Sequence, residues 1–100
     1  DGGFGEALDS GKEGKFVAAA STPFHTACAL MAYVHADAAD HEGSERAANW
    51  LAHHQNEEGT WTNEDFFAAG VPGLWYANFT LTPTYFAAKS LLLFIQSRSR

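Results

Sequence analysis

One hundred residues, 46% hydrophobic and 14% aromatic, make one small domain or part of a larger one, with enough apolar material for a core; disorder is excluded. A formal charge of -6 with only six Lys and Arg excludes a nucleic-acid surface, which needs clustered positive charge. A single Cys28 excludes an internal disulfide, and the longest apolar run, around Leu91 to Ile95, is too short to span a bilayer.

The chain opens on DGGFGE, without Met, which reads as the end of a Gly-x-aromatic turn whose helix would lie before Asp1; the chain is expected to be a C-terminal piece. Residues 1–20 are rich in Gly, Lys and acidic groups without periodicity and read as a solvated loop. Thr22-Pro23 supplies an N-cap and a proline at the first helical position, so a helix is predicted over 22–36. Ala27, Leu30, Met31 and Val34 recur at helical spacing and form its core-facing stripe. The small residues Ala27, Cys28, Ala29 and Ala32 would admit a close helix neighbour, with Cys28 buried as a small hydrophobe. Asp37, Asp40, His41 and Glu42 follow in a polar turn without zinc or calcium ligand spacing, so no metal site is expected.

A second helix is predicted over 44–55, capped by Ser44 with Glu45 in its first turn. Ala47, Trp50, Leu51 and His54 form its buried stripe, while Arg46 and Asn49 fall outside it. His53 and His54 point about 100° apart on a helix and cannot ligate one ion by local geometry. Beyond Trp61, glycines flank Val71-Pro72 in a tight turn crowded by Phe66, Phe67, Trp75, Tyr76 and Phe79; the cluster is a core plug or the wall of an apolar pocket. Thr82-Pro83 opens a third helix, predicted over 82–96. From Tyr85 to Ile95 only Lys89 and Ser90 interrupt its apolar residues, so it needs neighbours on most of its circumference, more than this chain supplies.

The stretch RAANWLAHHQNEEGTW carries the most specific pattern. A basic and a small residue (Arg46, Ala47) precede an aromatic–aliphatic pair (Trp50, Leu51); then come Gln55, after three further residues, and Gly59-x-Trp61. This resembles the QW repeat of the squalene-hopene and oxidosqualene cyclases. DGGFGE resembles the end of a preceding repeat, with Phe4 in the Trp place. STPFHTACALMAY resembles the segment that follows such a repeat, and GVPGLWYANFTLTPTYFAAKSLLLF the family's closing segment. The resemblance covers essentially the whole chain, in the family's order.

It implies an all-α fold, part of an α/α toroid of the α6–α6 barrel type. The first and third helices would be inner and the Arg46 helix outer, tied by QW turns. The implied chemistry is cyclisation of a linear polyprenyl chain such as squalene, started when the central Asp of a DxDD motif protonates an alkene. Aromatic faces then stabilise the cation, by about 2 kcal/mol or more each when desolvated. No DxDD occurs here, and Asp37-Ala38-Ala39-Asp40 has the wrong spacing, so no catalytic residue is expected in this chain and the acid lies elsewhere. The resemblance assigns Val71, Trp75, Ala77, Phe79 and Thr82 to the substrate cavity wall. Val71 stands for a family Phe, Trp75 for Phe, Ala77 for Leu, Phe79 for Tyr and Thr82 for Tyr. Tyr76 matches and would hold the wall.

The partners implied are an apolar polyprenyl substrate and the rest of a cyclase chain, or a partner chain, carrying the acid. No cofactor is implied. Localisation would be cytoplasmic and peripheral to a membrane, through parts outside this chain. Two other readings are a non-catalytic fragment or interaction module and a protein prenyltransferase β-subunit-like domain. The latter would need zinc on Asp, Cys and His, and Cys28 has no such partners nearby in sequence.

Overall fold

A computed structural model describes residues 1–5, 19–62, 67–68, 76–77 and 82–99. Among these residues three α-helices carry the fold: α1 (Pro23–His35), α2 (Glu42–His53) and α3 (Thr82–Arg98). Between α2 and α3, two-residue strands β1 (Phe67–Ala68) and β2 (Tyr76–Ala77) pair antiparallel, Phe67 opposite Ala77 and Ala68 opposite Tyr76. This short ladder was not expected from the sequence; the Gly-rich turn lies outside the described residues.

Helix α1 starts as its sequence predicts. Thr22 is the N-cap, with Oγ1 accepting from the His25 N–H at 3.1 Å, and Pro23 follows where its missing N–H costs nothing. The helix ends in a Schellman motif: the Ala38 N–H donates to the Tyr33 carbonyl and the Asp37 N–H to that of Val34. Asp37 takes the left-handed conformation (φ 60°) usual for glycine there, and Asp is among the side chains that tolerate it.

Helix α2 begins two residues before the predicted start. His41, not Ser44, is the N-cap, its Nδ1 accepting from the Gly43 N–H at 2.9 Å while its ring stacks on Tyr33. Ser44 lies one turn in and fully buried, where its hydroxyl has no hydrogen-bond partner among the described residues. At the other end His53 and His54 fold back and donate Nδ1–H to the carbonyls of Asn49 and Trp50, both at 2.7 Å; the Trp50 carbonyl also takes the His54 N–H, at 3.1 Å.

Helix α1 packs most extensively on α3 and less on α2, and α2 and α3 meet only slightly. The core joins Ala27 and Leu30 of α1, Ala47, Ala48, Trp50 and Leu51 of α2, Trp61, and Ala87 of α3, with Phe86, Leu91 and Phe94 packed against it. Phe24 meets Phe86 edge to face at 5.4 Å, a geometry worth about 0.5–1.5 kcal/mol beyond the area it buries. The α1 stripe sits one turn, four residues, N-terminal to the predicted one and shares Ala27 and Leu30 with it: Pro23, Thr26, Ala27 and Leu30 are buried, while Met31 and Val34 are half-buried. Cys28 is exposed rather than buried, since the small-residue run wraps past the contact face. Among the described residues one side of α3 is covered, through Pro83, Ala87 and Ser90, while Tyr85, Leu92 and Ile95 are each more than half exposed.

Candidate functional site

Two turns of the same construction organise the described residues. In the first, Gly2 has φ 94° and Phe4 follows two residues later; in the second, Gly59 has φ 86° and Trp61 follows two residues later. Glycine is required at both because a side chain at such φ is strained. Each aromatic is then held by a threonine from the first turn of the next helix. Thr26 Oγ1 accepts from the Phe4 N–H at 2.9 Å and donates to the Phe4 carbonyl at 3.4 Å. Thr84 Oγ1 accepts from the Trp61 N–H at 3.0 Å and donates to the Trp61 carbonyl at 3.2 Å. One hydroxyl thereby satisfies two backbone groups and fixes the next helix to the end of the turn.

The residues of the RAANWLAHHQNEEGTW stretch divide between these two turns. Arg46 and Trp50 lie against the first: a Cβ on Gly2 would sit 2.8 Å from the Arg46 carbonyl oxygen, and one on Gly3 2.9 Å from the Trp50 ring. The backbone of the Phe4 turn must therefore be bare to approach α2. Trp50 is buried, and the His54 ring stacks on it at 3.8 Å, so His54 is an exposed cover for the stripe rather than a member of it. Leu51, Gln55, Gly59 and Trp61 build the second turn. Gln55 Nε2 donates to the Gly59 carbonyl at 2.9 Å, and buried Trp61 donates its indole N–H to the Leu51 carbonyl at 2.8 Å. The Asn56 N–H donates to the Thr60 carbonyl at 2.7 Å and closes the loop between them.

Of the expected wall positions, Ala77 lies in β2 opposite Phe67, and Thr82 is the first residue of α3. Val71, Trp75 and Phe79 lie outside the described residues. A cleft of about 420 Å³ opens beside Asp1, Ser21, Thr22, Trp50 and His54, and neither Ala77 nor Thr82 is among its described lining residues. Among the described residues no group of three or more His, Cys, Asp or Glu could hold a metal ion. No helix there is long and apolar enough to cross a membrane. Partial burial of the Cys28 thiol pushes its pKa above the ordinary value even though the residue is exposed overall, so it is a poor nucleophile. Sequence reasoning missed Thr26 and Thr84. The available signal was a threonine recurring within three residues of each helix-opening proline, Pro23 and Pro83.

The family model described as the squalene-hopene cyclase C-terminal domain matches residues 1–95. The squalene–hopene cyclase of Zymomonas mobilis subsp. mobilis is 33% identical over 88 residues, 86% of this chain and 13% of that protein. Those of Alicyclobacillus acidocaldarius (32% over 81 residues, 81% of this chain and 13% of that protein) and Bradyrhizobium diazoefficiens (37% over 81 residues, 79% and 12%) are similar to it to the same degree. The chain thus spans about an eighth of the length of these curated relatives.

Proposed function

This chain belongs to the squalene-hopene cyclase family, within its C-terminal domain, and on that premise we propose that the full polypeptide carrying it is a class II terpene cyclase. Its substrate is a linear polyprenyl or triterpene chain, cyclised by a cascade that an acid starts and an apolar cavity contains. The observation that carries this reading is the family match over residues 1–95 together with the QW order of Arg46, Trp50, Leu51, Gln55, Gly59 and Trp61.

In this reading the 100 residues supply structural turns and part of the cavity wall, and the acid comes from outside them. The toroid explains the uncovered side of α3. Tyr85, Leu92 and Ile95 would each contribute about 1.5–3 kcal/mol on full burial, and further helices of the ring would cover them. In repeat folds no unit buries its apolar face alone. Exposure of Phe4, whose counterpart Trp61 is buried against α2, supports a preceding helix in the same way. Contact with one leaflet of a membrane, where an apolar substrate is collected, falls to parts outside this chain.

The wall sets the product. Val71 and Thr82 each stand where the family carries a ring, Trp75 and Phe79 keep one, and Ala77 widens the space a Leu would fill. Losing two rings removes about 2 kcal/mol of cation stabilisation apiece at those points, so the cascade stops at fewer rings or takes another chain length. The test is incubation of the full polypeptide with squalene and with shorter linear polyprenyl chains, with products identified by mass spectrometry. Cyclised products other than hopene are expected; hopene as the main product overturns the wall reading, and no cyclised product at all overturns the cyclase reading.

A further inference from the structure

We propose that Thr84 is a positioning residue for the cavity wall. This rests on the cyclase reading above and extends it to a residue that touches no substrate. Trp61 is anchored to α2 by its indole N–H on the Leu51 carbonyl at 2.8 Å. Thr84 Oγ1 engages both backbone groups of Trp61, at 3.0 and 3.2 Å, and so ties the first turn of α3 to the same anchor.

The chain that leaves Trp61 returns to it 23 residues later. Within that span the β1–β2 register sets Ala77 opposite Phe67, and Thr82 lies two residues before the clasp. Two of the proposed wall positions are therefore suspended between fixed points, and one of those points is a single hydroxyl. Thr26 makes the equivalent clasp on Phe4, in a span that carries none of the proposed wall positions. The chain thus contains its own control.

The experiment compares Thr84→Val, Thr84→Ser and Thr26→Val in the full polypeptide, reading kcat, KM and the ratio of products from a linear polyprenyl substrate. Thr84→Val keeps the shape and loses both hydrogen bonds. It is expected to lower kcat on the order of tenfold or more, the scale of a misplaced reacting geometry, and to change the product ratio with KM little altered. Thr84→Ser should restore the wild-type ratio, and Thr26→Val should lower thermal stability without moving the ratio.

A folded Thr84→Val with wild-type products overturns the assignment, as does a Thr26→Val that shifts products equally. Should Thr84→Val fail to fold, Thr84→Ala is read instead. Failure of both to fold overturns it too, because the hydroxyl is then needed for stability rather than for position. A wild-type polypeptide that cyclises nothing defeats the cyclase reading itself and this inference with it, an outcome distinct from an active wild type with an indifferent Thr84→Val.

Discussion

The indole N–H of Trp61 donates to the carbonyl of Leu51 ten residues earlier, in a site where Trp61 is 4% exposed and Leu51 fully buried. The bond closes the last turn of α2 onto the loop that follows it, giving the Leu51 carbonyl a second donor beside the His54 N–H at 3.2 Å. Trp61→Phe keeps most of the ring and removes the shorter of that carbonyl's two hydrogen bonds, leaving only the His54 N–H. A loss of about 0.5–1.5 kcal/mol is expected, and Trp61→Ala, which also empties the site, should cost about 3–5 kcal/mol. Thermal or denaturant unfolding of the full polypeptide measures both. Equal losses for the two variants would mean that the hydrogen bond, not the ring volume, dominates.

The two positive-φ glycines separate backbone strain from crowding. At Gly59 a Cβ would meet, among the described residues, only Gln55 Nε2 at 3.7 Å, ordinary contact, so Gly59→Ala is expected to cost the left-handed penalty alone, about 1–2 kcal/mol. At Gly2 the same penalty applies and the Cβ would press to 2.8 Å on the Arg46 carbonyl oxygen, so Gly2→Ala should cost clearly more and loosen the Phe4 turn from α2. Unfolding of the two variants side by side checks the order. A milder Gly2→Ala would show that the turn can move away from α2 without penalty.

Much of this was readable because local rules and the packing agree. Thr22-Pro23 announced α1 through capping chemistry that needs no tertiary information, and the Gly-x-aromatic spacing announced both turns. The clasps by Thr26 and Thr84 were not legible, because each joins groups 22 or 23 residues apart and a threonine in a first helical turn has many local uses. The α1 stripe was displaced because Ala, Cys and Met on several faces give periodicity little contrast, and the α3 contact, not the mean hydropathy, chose the face. The uncovered side of α3 follows from the same cause: a helix apolar all round declares that it needs neighbours without saying which side each will take.

The start of α2 gives a test with opposite signs at two residues. Sequence favours Ser44 as the cap, in which case Ser44→Ala should cost about 0.5–2 kcal/mol. In the structure His41 caps the helix and Ser44 Oγ is buried without a partner among the described residues, so Ser44→Ala should be neutral or stabilise by about 1 kcal/mol. His41→Ala should cost about 1 kcal/mol, with loss of the stack on Tyr33 adding to it. Denaturation midpoints for the two variants decide which residue caps α2.

Cys28 supplies a pH test. Partial burial raises its thiol pKa, so the folded chain holds the thiol proton more tightly than the unfolded chain does. With a folded pKa above the unfolded one, the stabilising difference is fully present below the ordinary thiol pKa and is lost as pH rises through the raised folded value. Stability of the full polypeptide should therefore fall on the alkaline side of the thiol range, and Cys28→Ala should remove that part of the fall while leaving neutral-pH stability nearly unchanged. Alkylation at Cys28 near pH 8, followed by peptide mass, should run slower than for an unhindered thiol despite the residue's exposure, since the thiolate is the reacting form. A rate equal to that of a free thiol would mean that the surrounding helix face does not desolvate the sulfur.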